Sequence, residues 1–346
     1  MRTAFISLMM VLLLGFGSAR AAVSFVFNYN DLGMGGSPGS GTGFDDPVDG
    51  ERRRTALQLA ADIFGQSVLG AYNAVITFNV SSMSSGLASA GSQFVDAFAG
   101  GGFGRAEVIR NKILSNNAID LNGGFVDGAL NVNFDLLPYE YDVNATPGNG
   151  TIDFFAVMWH EFSHAIGWGA SVQQDGSDLF GNGLNSPGEW SQYDQFLTDS
   201  QGEPVIDRMT LLNGLGAEYL NRASGEDGGL FFGGPNAIAA NGGLVPLYTP
   251  NPFEPGSSVS HLDSDNPLFA GLLMLPSIST GLGPRVYSAV ELGILRDLGY
   301  DDIVQIDISV ITTEVPVPGA LLLMASGLVG FRWRSKKASP KVDLAV

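Results

Sequence analysis

Cysteine is absent from this chain of 346 residues, and histidine occurs only three times. The first absence removes every disulfide, every thiolate ligand and every cysteine nucleophile from consideration. A metal ion would have to be held here by imidazole and carboxylate. Basic residues are scarce too, 17 against 35 acids. Two of the 17 lie before residue 22 and five beyond Phe331, whereas 34 of the acids lie between, so the body carries a formal charge near −24. A surface of that sign repels nucleic acid and anionic lipid, so neither is an expected partner. No uncharged apolar run reaches the roughly 20 residues that cross a bilayer as a helix.

What is there begins at the two ends. Arg2, an apolar run from Ala4 to Phe16, and Ala19-Arg20-Ala21 read as a secretory signal over residues 1–21, removed by signal peptidase. Export to the cell surface, outer envelope or extracellular matrix follows as the expectation. Near the other end, Val315-Pro316-Val317-Pro318 precedes 13 apolar residues, Gly319 to Phe331, and then Arg332-Trp333-Arg334-Ser335-Lys336-Lys337. So short a segment closed by a basic cluster suits membrane contact with the basic end cytoplasmic. The order resembles the PEP-CTERM sorting signal over residues 315–337, with Val317 where that family usually has Glu and a tail over 338–346. The resemblance implies an exosortase as a partner during export; a plain C-terminal anchor is the alternative.

Between the ends, hydrophobic spacing predicts helices over 55–68, 105–115, 154–166 (with Asp153 as N-cap) and 286–298, the last stopped by Gly299. Alternation predicts strands over 23–27, 75–80, 129–134, 193–197 and 244–248. Residues 169–260 are otherwise dense in Gly, Asn and Pro, which reads as loop. The fold class is α+β.

Chemistry concentrates in His160-Glu161-Phe162-Ser163-His164, the pattern H-E-x-x-H. Residues four apart share one helix face, so both imidazoles can reach one Zn²⁺. Glu161 then stands where a carboxylate can take a proton from a zinc-activated water. A catalytic zinc needs a third protein ligand and an open position. The compact extension H-E-x-x-H-x-x-G-x-x-H keeps Gly167 but ends in Ala170, which cannot ligate. Glu189 is one candidate, though it follows the turn Pro187-Gly188; His261, 97 residues beyond His164, is the other.

The His261 segment, Ser260-His261-Leu262-Asp263, lies shortly before Leu273-Met274-Leu275-Pro276. With residues 160–167, this resembles the leishmanolysin-like metzincin metalloproteases, in which an insertion precedes a distant third histidine and a methionine turn. The resemblance implies His160, His164 and His261 as metal ligands, Glu161 as the catalytic residue, Met274 packed beneath the metal and Gly167 turning the chain out of the helix. It also implies a zinc cleft between an upper sheet-and-helix subdomain and an irregular lower one. The boundaries are then 22–50 for an N-terminal strand and loop, 51–167 for the upper subdomain, 168–300 for the lower and 301–314 for a linker.

Lesser candidates accompany these. Ser260 or Asp263 could hold the far nitrogen of a ligating imidazole. Tyr287 could steady an oxyanion, and Asp175, Asp178 and Asp194 could bind Ca²⁺, although their spacing fits no known loop. Asp45, Asp46 or Asp49 could shield an open metal position. The expected function is an exported zinc endopeptidase acting on protein or peptide, laid along an edge strand at 129–134. The alternative is a surface or matrix protein whose metal is structural or whose site is dead.

Overall fold

The computed structural model describes residues 22–34, 37–96 and 99–303, which belong to a single compact unit. The signal over 1–21, the sorting segment over 315–337, the tail and most of the 301–314 linker lie outside the described residues. The chain opens with β1 (Ser24–Tyr29), α1 (Gly50–Ser67), β2 (Val75–Ser82) and β3 (Ala88–Ser92). There follow β4 (Gly102–Phe103), α2 (Val108–Leu114), β5 (Gly128–Val132), β6 (Tyr139–Glu140), β7 (Ile152–Asp153) and α3 (Phe154–Ala165). The second half holds β8 (Glu189–Trp190), β9 (Leu197–Thr198), α4 (Tyr219–Ala223), β10 (Phe231–Phe232), α5 (Pro235–Asn241), β11 (Val245–Pro246) and α6 (Ala289–Asp297). The architecture is mixed helix and strand, as an α+β class requires.

The main sheet has the order β1-β2-β5-β3, parallel except for the antiparallel β5–β3 pair. The strand expected to form the substrate edge, 129–134, is therefore interior. The outer strands are β1 and β3, and β3, registered Ala88↔Val132 to Ser92↔Gly128, is the one that lines the cleft. Its sequence, Ala-Ser-Ala-Gly-Ser, lacks the β-branched and aromatic residues that mark a strand. Pairing with β5 makes it one.

Helices α1 and α3 pack against the sheet through phenylalanine. Phe162, inside the H-E-x-x-H segment, lies 5.3 Å from both Phe25 and Phe64 and 6.4 Å from Phe78, centroid to centroid. That core face holds α3 against the sheet while its opposite face looks into a cleft. Helix α1 starts five residues before its apolar period does. Asp46 accepts the amides of Val48 and Asp49 (both 2.8 Å), and Arg53 binds the Gly43 carbonyl at 2.6 Å, so polar residues carry that first turn.

The second half builds only short pieces: the three-stranded β11-β10-β9 sheet and the α5–α6 pair. The expected strand at 193–197 is mostly a 3-10 turn, Asp194–Phe196. The buried Asp194 carboxylate draws in the amides of Ser171 and Ser191, which closes the chain there instead of extending it. Among the described residues no helix is long and apolar enough to cross a membrane.

Candidate metal centre

Helix α3 begins at a well-made cap, with Asp153 accepting from the amides of Phe155 (3.1 Å) and Ala156 (3.3 Å). It ends in a Schellman turn: Gly167 N–H bonds the His164 carbonyl and Trp168 N–H the Ser163 carbonyl, both at 3.0 Å. Gly167 has φ +111°, which favours glycine, and an added Cβ would crowd Glu107 Oε1 at 3.0 Å. The turn brings the Trp168 carbonyl back onto the side chain of His164, 2.6 Å from Nδ1.

The third imidazole arrives from the opposite half. His261 follows Val259, a buried β-branched residue held at φ +68°, whose amide bonds the Tyr248 carbonyl at 2.8 Å. Such backbone costs about 1–3 kcal/mol and persists only where its surroundings enforce it. His261 Nδ1 meets the Ser257 carbonyl at 2.8 Å, and His160 Nδ1 meets that of Leu273 at 2.8 Å.

All three Nδ1 atoms thus donate to main-chain carbonyls, which leaves three bare Nε2 lone pairs. These converge: His160–His164 3.0 Å, His160–His261 3.1 Å and His164–His261 3.1 Å. No proton lies between them, so the triangle is repulsive without a cation. Tetrahedral Zn–N bonds of about 2.0–2.1 Å separate ligand atoms by about 3.3–3.4 Å, a close match. Burial pushes all three imidazoles below their ordinary range, His261 to about 3, so they stay neutral, the form that binds metal. The residues present fit a zinc ion, and theirs is the one such group of His, Asp and Glu among the described residues.

Glu161 lines the same cleft, which has a volume of about 710 Å³. Burial pushes its carboxyl up to about 8, against a donating amide from Ala90 on β3. Met274 is fully buried; its amide bonds Glu291 at 2.8 Å and its carbonyl accepts Leu262 N–H at 2.9 Å. Its neighbour Leu273 supplies the carbonyl for His160, so the backbone of this segment orients a candidate ligand.

Several sequence candidates take other roles. Ser260 accepts the Ala170 amide at 3.1 Å, and Asp263 that of Asp265 at 3.0 Å; neither holds an imidazole. Tyr287 is buried against Ser163, hydroxyl to hydroxyl at 2.6 Å, away from the cleft lining. Glu189 pairs with Arg105 at 2.8 Å. Asp175, Asp178 and Asp194 do not gather: each is spent on nearby amides or hydroxyls. Asp45, Asp46 and Asp49 stand outside the cleft lining. What sequence reasoning missed is the set of carbonyls at Trp168, Ser257 and Leu273 and the edge strand β3. Main-chain groups carry no sequence signature.

No family model, no curated protein and no solved structure matches this chain.

Proposed function

We propose that the protein is a metzincin-type zinc endopeptidase, exported and retained at the cell surface. One observation carries this: three neutral imidazoles converge within 3.0–3.1 Å beside a buried glutamate on the wall of an open cleft. His160, His164 and His261 would hold zinc, leaving a fourth position toward the cleft. Bound zinc supplies a Lewis acid that polarises a carbonyl and lowers the pKa of water.

The chain's own residues do the rest. Strand β3 offers its free edge to an extended peptide by strand addition. Small side chains on it leave room for the peptide to lie close to Glu161. Ile152, Val157, Leu275, Pro276 and Ile278 form an apolar wall for one substrate side chain. Glu161 accepts a proton from the attacking water and returns it to the leaving amine.

The test is cleavage of casein by the purified protein beside Glu161→Ala, with a chelator control. Loss of activity in the variant, with zinc still bound, supports the peptidase. Equal inertness of both proteins, each holding one zinc, would favour a surface or matrix protein with a structural metal. Export and retention rest on the two terminal segments; cell fractionation with and without residues 315–346 checks them.

A further inference from the structure

After Met274 the chain forms the apolar side of the cleft and then crosses the N-terminus of α3. Between Met274 and Ala289 it has no helix or strand. Among the described residues, Gly281 N–H to the Thr151 carbonyl (2.8 Å) is the backbone–backbone bond donated by residues 275–287. A wall so thinly bonded would open locally unless something else held it.

What holds it is one carboxylate. Asp153, fully buried, caps α3 through Oδ1 and also accepts Arg285 Nη2 there at 2.9 Å. Its Oδ2 accepts Arg285 Nε at 2.8 Å and Gly283 N–H at 3.1 Å. Arg285 extends further, donating from Nη1 to the Val143 carbonyl at 2.6 Å, with its guanidinium 5.4 Å from the centre of the Phe155 ring. Gly283 is the contact point. A Cβ there would lie 2.5 Å from Ala156 Cβ and 2.8 Å from Ile278 Cδ1, so glycine lets the wall seat directly on the helix.

We propose that the Asp153–Arg285 pair is a positioning clamp that fixes the wall Leu275–Ile278 against the first turn of the metal helix, and thereby sets affinity for substrate. It acts on the cleft without touching the imidazoles. Arginine is suited to this because separate donors of its planar fork meet the two carboxylate oxygens while a third reaches the Val143 carbonyl on the far side.

The catalytic half of the test rests on the peptidase reading; the structural half does not. Hydrogen–deuterium exchange would be measured on the full chain with zinc, for the parent, Arg285→Gln, Arg285→Lys and Asp153→Asn. Asparagine keeps the helix cap and removes the charge, so Asp153→Asn tests the clamp even where Arg285→Gln folds poorly. Exchange at the Gly281 and Gly283 amides, the bonded main-chain donors of 275–283 among the described residues, should accelerate by about tenfold or more in Arg285→Gln and less in Arg285→Lys, with β2 unchanged. Zinc affinity should move by less than about threefold, well below the 10–100-fold lost when an imidazole loses its partner. With peptides differing at one position, KM should rise for a leucine side chain and stay level for glycine.

Unchanged protection of the Gly281 and Gly283 amides would overturn the clamp. So would faster exchange spread equally into β2, which would mark the pair as general support. A parent that cleaves nothing would sink the peptidase reading while exchange still decided the clamp.

Discussion

The two halves of this protein keep their backbones satisfied in different ways. Residues 22–167 rely on a sheet and two long helices, with side chains free to build a phenylalanine core. Residues 168–300 have little regular structure and lean on amide-collecting carboxylates throughout, a device that the first half uses at helix starts such as Asp46 and Asp153. Asp178 accepts the amides of Phe180, Asn182 and Glu189; Asp297 accepts those of Asn236 and Ala237; Glu291 accepts those of Met274 and Ser288. A buried amide must find a partner, and where no ladder supplies one an acid can collect several. The lesson concerns the acidity as well as the fold. Part of the negative charge is structural.

The comparison breaks first at His261, the one imidazole contributed by the irregular half. His261→Ala should weaken zinc binding by more than about 100-fold, beyond the range for loss of an outer partner. Glu189→Ala, in the same half, should leave it intact. Chelator competition measures both, and zinc retained by the His261 variant would refute the ligand set.

In the irregular half a buried carboxylate should matter as much as a core side chain does in the regular one. Asp194→Ala strands the Ser171 and Ser191 donors and should cost about 3–5 kcal/mol in urea unfolding. Phe78→Ala in the regular half should cost a similar ~3–5 kcal/mol. A loss under about 1 kcal/mol for Asp194→Ala would undo the contrast between halves.

Buried acids also carry a pH signature. Burial pushes Glu107 up to about 7 and Asp194 up to about 6. Both hold protons more tightly folded than unfolded, so their support is full below the ordinary carboxylate range and is lost as pH rises through those values. Relative to Glu107→Gln, the parent should lose on the order of 3 kcal/mol between about pH 4.5 and 7. Parallel stability–pH curves for the two proteins would count against it. The smallest effect is at the junction: Gly167→Ala should cost about 1–2 kcal/mol through its positive φ, read from the urea midpoint.

Legibility followed the same divide. The H-E-x-x-H helix, its Asp153 cap and its Gly167 stop were readable because each depends on neighbours within about one turn. The β1, β2 and β5 positions were readable from apolar alternation, to within two residues at most ends. Strand β3 was not, since Ala88 to Ser92 becomes a strand only by pairing with β5, 40 residues on in register. The 193–197 segment was misjudged for a related reason: Tyr193 and Phe196 suggest a strand, but Asp194 is captured by Ser171, 23 residues earlier.

By itself the sequence determined that a metal here would meet imidazole and carboxylate, that His160 and His164 share a helix face, and where that helix stops. Helical period and the absence of cysteine are local or compositional facts. Only the tertiary structure decided which carbonyls orient the three imidazoles, which strand is the free edge, and that Arg285 reaches Asp153 across 132 residues of chain. Those contacts join main-chain groups that every residue possesses, or side chains far apart in sequence, so nothing short of the folded chain selects them.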